Sequence, residues 1–316
     1  MRRSLVVLLI AAVSGVVAPP SSAAGEPKLD VPAATLARAL SCPAAFAHVR
    51  RHEPVLLVPG TAVTPPEHYG WNMLPGLTDL GFDVCTVTLP DRSLGDIQVS
   101  SEYVVWAIRW IAARAHSRVD VIGHSQGAIQ PRWALRFWPS LRPLVDDYVG
   151  MSGPNHGDVY ANAGCAGGSC IPAWWQYRIG SSFLAALNRG DETPGRVSYT
   201  TVFSQNDDLV QPFTSPPLRG ASNVMIQDMC PGRPVEHLGT VSDAIAFAAV
   251  VDALTHPGPA RPSRFFGMAQ CADTYMRGVT PASAAAGAGL AYSNAGLAIQ
   301  AYPKAPSEPR LRSYAR

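Results

Sequence analysis

VDVIGHSQG (Val119–Gly127) is the stretch from which the fold can be read. Val119 to Ile122 is a short run dominated by β-branched apolar residues, the pattern of a buried strand. It runs without a linker into Gly123-x-Ser125-x-Gly127, and a helical segment follows to about Trp138. In a chain with 27 glycines the five-residue pattern alone carries little weight. Strand, sharp turn and helix in direct succession carry more. Glycines let the backbone pass closely at such a turn, and the serine between them takes strained dihedrals that expose its hydroxyl. Ser125 is therefore a candidate nucleophile on an elbow.

Working outward, the flanking segments alternate. Pro54–Val58 reads as a strand ending in the Pro59-Gly60 turn, Trp71–Leu80 as a helix and Cys85–Leu89 as a strand. A helix is expected from Ser101, with Ser101-Glu102 as its polar start, to about Ala115. Asp147–Met151, Ser198–Phe203 and Asn223–Gln227 read as strands and Asp243–Leu254 as a helix. Residues 25–53 read as a linker with a short helical start. Thr280–Ala301, rich in Ala and Gly, reads as a packed small-residue helix or as filler. Strands separated by helices require crossovers, hence a mainly parallel sheet with helices on both faces, an α/β class.

A serine hydroxyl needs a base, and the base needs an orienting carboxylate. In α/β-hydrolases these follow the serine in the order acid, then histidine. Asp207 and Asp208 follow the strand ending at Phe203, and spacing alone does not choose between them. His237 follows the strand ending at Gln227 and is the candidate base. The rival, His156, lies in the loop after the next strand and is expected near the pocket mouth. The oxyanion hole needs two backbone N–H groups: one from Gln126, after the nucleophile, and one from the Pro59-Gly60-Thr61 turn, where Thr61 could add its hydroxyl.

Composition narrows the alternatives. Arg2 and Arg3 precede a short apolar run, Leu5–Val17, and small residues Ser22-Ala23-Ala24, the layout of a secretory signal peptide over residues 1–24. Residues 25–316 are expected to form a single domain. They carry equal numbers of acidic and basic side chains, which argues against a nucleic-acid partner. No apolar run is long enough for a transmembrane segment. Six cysteines in an exported chain suggest three disulfides, with fifteen possible pairings. No Cys/His cluster has zinc spacing and no phosphate loop appears, so neither a metal nor another cofactor is expected.

Beyond these readings, LLVPGT (Leu56–Thr61), SEYVVWAI (Ser101–Ile108), HSQG with the following RW and FWPSLR (His124–Arg142), WWQ (Trp174–Gln176), NDDLVQP (Asn206–Pro212), EHLGT (Glu236–Thr240) and YAR (Tyr314–Arg316) occur in one order across nearly the whole chain. In these the chain resembles the Candida antarctica lipase B family of secreted serine lipases. The resemblance implies Ser125, Asp207 and His237 as catalytic residues, choosing Asp207 over Asp208. It implies Thr61 and Gln126 as the oxyanion hole, and Leu209 and Val210 as channel lining. It implies disulfides Cys42–Cys85 and Cys230–Cys271, leaving Cys165 and Cys170 as a pair the family pattern lacks. His124 stands where the family has a tryptophan shaping the alcohol pocket, so a roomier, more polar pocket is expected there. Pro154 replaces an acyl-pocket aspartate, and Pro131 should kink the helix after the elbow or shift its start.

The function implied is a secreted lipase or carboxylesterase acting on acylglycerols or other apolar esters through an acyl-enzyme. It would work as a monomer with only transient contact with a lipid interface. An acyltransferase or polyester hydrolase would use the same triad. A hydrolase fold retained only for binding would ordinarily have lost a triad member. An apolar stretch holding Ile171, Trp174, Trp175, Ile179, Phe183 and Leu184 reads either as a lid over the site or as an ordinary core helix.

Overall fold

The computed structural model describes residues 25–316; the expected signal peptide lies outside the described residues. Seven strands form one sheet: β1 (Leu40–Ser41), β2 (Val55–Val58), β3 (Val84–Val87), β4 (Val119–His124), β5 (Val145–Met151), β6 (Ser198–Phe203) and β7 (Ser222–Met225). Their spatial order is β1-β3-β2-β4-β5-β6-β7. All neighbours pair in parallel except β1, which runs antiparallel to β3 at the edge. This two-residue strand was not expected within residues 25–53. Its pairing is non-local, and no two-residue segment announces that in sequence.

β2 is apolar and buried at every position because both faces of the sheet are covered. Leu56 and Val58 of β2 enter one core with the helix Ile97–Ala115 and with Trp133 and Trp138. Val55 and Leu57, on the other face, join Met73, Leu77 and the helix Ala244–Thr255. Alternation with a period of two residues thus feeds two cores rather than one core and solvent.

Several boundaries differ from the sequence reading. The long helix begins at Ile97, with Asp96 capping the N–H of Gln98, rather than at Ser101. Ser101 sits inside it, its hydroxyl returned to the Ile97 carbonyl. After the elbow the chain makes a 3₁₀ turn over Ser125–Ala128, and the α-helix proper is Ile129–Phe137. Pro131 therefore falls in the first α-turn, where a missing N–H costs little. β7 ends at Met225, and Ile226–Met229 turns into a short helix. Pro281–Ala301 is helical, capped by Thr280.

The disulfides join Cys42 to Cys85, Cys165 to Cys170 and Cys230 to Cys271. The first ties the N-terminal segment to β3. The second closes the loop after the helix Val159–Cys165, and Cys170 bridges to Ala305 of the C-terminal segment. The third links the loop after β7 to residues beyond the last core helix. No helix among the described residues is long and apolar enough to cross a membrane.

Candidate active site

Ser125 leaves the C-terminal end of β4 with φ of 58°, a left-handed conformation that side chains other than glycine rarely take. The glycines around it explain how the chain tolerates the turn. A Cβ on Gly123 would lie 1.9 Å from the Gly127 carbonyl oxygen, and a Cβ on Gly127 would lie 2.2 Å from the Val58 carbonyl oxygen. Strand end, helix start and β2 can meet only when both positions lack a side chain.

The loops after β6 and β7 converge on the same end of the sheet. His237 Nδ1 stands 2.8 Å from Asp207 Oδ2 and 3.0 Å from Oδ1. Asp207 Oδ1 also accepts the N–H groups of Leu209 and Val210, at 3.0 and 2.7 Å. Asp208 does different work: its Oδ1 accepts the backbone N–H of His237 at 3.0 Å. One carboxylate therefore holds the imidazole and the other holds the chain that carries it. Both Asp207 and His237 are buried. Burial alone would keep the His237 ring neutral, but the carboxylates of Asp207, Asp208 and Glu236 outweigh it and raise its pKa above the ordinary value. Burial likewise works against Asp207 ionising, yet His237 and the two N–H donors hold its pKa below the usual range.

A second set of bonds runs beneath this pair. The Gly60 N–H donates to His68 Nδ1 at 3.1 Å, His68 Nε2 meets His124 Nδ1 at 2.9 Å, and His124 Nε2 meets the His237 carbonyl at 3.0 Å. An N–H can only donate and a carbonyl can only accept. The tautomers follow along the chain: His68 is protonated on Nε2 and His124 on Nε2. Burial lowers the pKa of both rings, so both stay neutral. This relay ties the turn carrying Thr61 to the loop carrying His237. The polar atoms of His124, expected to wet the pocket, are instead both spent inside the fold, though the ring still forms part of the cavity wall.

Thr61 Oγ1 lies 2.5 Å from Gln126 Oε1, so the two residues expected at the oxyanion hole touch each other. The Gln126 Nε2 is buried without a partner. A Cβ on Gly60 would stand 3.0 Å from Ser125 Cβ, which places the Thr61 turn directly against the serine.

Ser125, His237, Thr61, Leu209 and Val210 share one cavity of about 340 Å³. Its far wall is the C-terminal helix, through Ala291, Ala295 and Ile299. Their four-residue spacing marks one helical face in the sequence, but nothing there says what that face covers. His68 was missed for a similar reason: it acts through a contact 56 residues away. His156 is not in the cavity; its Nδ1 faces the Ser215 carbonyl and its Nε2 lies 3.5 Å from Glu192. Of the apolar stretch read as lid or core, Ile171, Trp175, Phe183 and Leu184 are buried, Ile179 is exposed, and Trp174 lines the cavity.

Comparison with known proteins agrees with this architecture. Residues 107–229 match the family model described as Lipase (class 2). Lipase B of Pseudozyma antarctica is 31% identical over 299 residues, covering 92% of this chain and 87% of that protein. The crystal structure of Aspergillus fumigatus lipase B superposes with a TM-score of 0.87 at 33% identity, covering 94% of this chain and 76% of that one. The mature lipase BlEst2 of Bacillus licheniformis, at 17% identity, 59% and 89% coverage and a TM-score of 0.51, shares the fold. The chain belongs to the lipase B family, carboxylic ester hydrolases built on the α/β-hydrolase fold.

Proposed function

We propose that the protein is a secreted serine lipase or carboxylesterase in which Ser125 is the nucleophile, His237 the general base and Asp207 its orienting acid. The observation that carries this reading is the pairing of a left-handed Ser125 with a His237 imidazole pinned through Nδ1, both on one cavity. The Nδ1 proton is committed to Asp207, which leaves Nε2 free to take the serine proton as Oγ attacks the ester carbonyl. The imidazolium so formed is stabilised by the same carboxylate and then protonates the departing alcohol. Water, activated by His237 in turn, releases the acid from the acyl-enzyme.

The backbone N–H groups of Thr61 and Gln126 receive the oxyanion. With the Gln126 amide turned end for end, Nε2 donates to Thr61 Oγ1, the threonine's own proton is free for the oxyanion, and Oε1 becomes the buried amide atom without a partner. Leu209, Val210 and the His124 ring bound the substrate channel. Tyr160, Leu209 and Tyr292 line the cavity yet are at least two-fifths exposed, an apolar rim suited to transient contact with a lipid interface. Residues 1–24 act as the export signal, residues 25–316 as one monomeric domain. Three disulfides suit an extracellular setting.

A fluorophosphonate probe tests the class: it should label Ser125 stoichiometrically, and labelling elsewhere or not at all would refute the assignment. A chain-length series of p-nitrophenyl esters beside an emulsified triglyceride tests the substrate. Hydrolysis of both, rising with acyl length, supports a lipase; activity on acetate alone would reduce it to a short-chain esterase.

A further inference from the structure

The other end of the same strands carries a second cluster of ionisable groups. Val119 of β4 pairs with Val145 of β5, but Val121 pairs with Tyr148. Asp120 therefore faces two residues, Asp146 and Asp147, across a β-bulge. In a regular strand consecutive side chains point to opposite faces. Here carboxylate oxygens of Asp120, Asp146 and Asp147 lie within 4.8 Å of one another.

The hydrogen bonds around this cluster do not close. Asp120 Oδ1 accepts the Asp147 N–H at 3.2 Å. Asp120 Oδ2 and Asp147 Oδ1 have no partner, although the two residues are only 1% and 4% exposed. Arg118 is 2.6 Å from Asp146 and 3.7 Å from Glu53, on the outer side of the cluster. Arg264 is engaged by Asp252. Two buried carboxylate oxygens without a hydrogen-bond donor are costly, and a cation between them would remove that cost.

We propose that Asp120, Asp146 and Asp147 form a binding site for a hard divalent cation, Ca²⁺. The donors are all oxygen, which disfavours softer metals. Calcium–oxygen distances of about 2.3–2.6 Å allow two ligands of one ion to stand up to about 5 Å apart, a span that matches this cluster. The shorter, strictly octahedral shell of Mg²⁺ suits an irregular set anchored on two strands less well. The ion would clamp β4 to β5 about 16 Å along the strand from Ser125, at five residues of about 3.3 Å each. Its effect is on stability and not on the chemical step.

The test uses the full mature chain freed of metal with EGTA. Calorimetric titration with CaCl₂ should show one ion per chain. Near-saturating Ca²⁺, at about a hundred times Kd, should raise Tm by about 5 °C, and equal Mg²⁺ by less. Wild-type p-nitrophenyl butyrate hydrolysis at 25 °C should be the same with Ca²⁺ and with EGTA. Asp147→Asn should abolish both the heat and the Tm shift. Should that variant fail to fold, Asp146→Asn, half-buried and at the edge of the cluster, should still weaken Ca²⁺ binding at least tenfold. Absence of binding to the wild type, or an undiminished shift in these variants, would overturn the site.

Discussion

β4 runs from Val119, beside Asp120, to His124, just before Ser125, and its two ends treat buried charge in opposite ways. At the C-terminal end every ionisable group has its partner. The Asp207 carboxylate takes the His237 ring and two backbone N–H groups, Asp208 takes the His237 N–H, and His68 and His124 pass one hydrogen bond to the next. At the N-terminal end two carboxylate oxygens have none. The difference shows where preorganisation has been built in. A catalytic group must be held within a fraction of an ångström, so its neighbours are spent on holding it. Unpartnered carboxylates serve no such purpose and instead leave room for an added positive charge.

The contrast can be broken most severely at the serine. Ser125→Ala should fold and lose ester hydrolysis by on the order of 10⁶-fold, the scale seen when a triad serine is removed. Retention of activity within tenfold, measured on p-nitrophenyl butyrate, would mean that the well-partnered end is not where the chemistry happens. Asp207→Asn comes next, at about 10⁴-fold, because the amide no longer fixes the Nδ1–H tautomer. Asp208→Asn should cost far less, since its hydrogen bond holds the backbone and not the ring.

The pH profile sharpens the same point. His237 must be neutral to accept the serine proton, so kcat/KM should fall as pH drops through its pKa. Asp207, Asp208 and Glu236 raise that pKa above the ordinary histidine value, so the acid limb should lie above about pH 6.5. In Asp208→Asn the limb should shift to lower pH. A limb that does not move would show that Asp208 contributes no field at the ring.

Breaking the histidine relay should be milder. His68→Ala or His124→Phe leaves triad and charge in place but frees the Thr61 turn from the His237 loop. A fall in kcat of about 10- to 100-fold with little change in KM or in the pH limb is expected, the range that small misplacements produce. A KM effect alone would make these rings pocket lining and nothing more. Smallest of all should be any coupling between the ends. In thermal or denaturant unfolding, the effects of His68→Ala and Asp147→Asn should add to within about 0.5 kcal/mol, as separated sites do.

Much of this could be read from the chain. The buried strands were legible because a strand covered on both faces is dominated by apolar and β-branched residues, as Val55–Val58 is. The elbow was legible because a left-handed serine flanked by close backbone approaches admits only glycine at Gly123 and Gly127. Element ends were less legible. Asp96 caps its helix through a local bond, but Gln98 and Ser100 alternate with Ile97 and Val99 in a strand-like period, so Ser101 reads as the start of the helical stripe. The choice between lid and core was not legible, because Ile171, Phe183 and Leu184 carry the same composition whether they face a core or a cavity.

The sequence by itself therefore determined the fold class and the elbow, since each is written in local spacing, and offered the proposed serine, acid and histidine in chain order. Only the tertiary structure decided how Asp207 and Asp208 divide their work, which helix closes the cavity, and that His124 turns both nitrogens inward. It also decided that Asp120, Asp146 and Asp147 meet. These depend on contacts between residues tens of positions apart and on a single slip in strand register. A hydrogen bond has no signature in a sequence until the fold has chosen its partner.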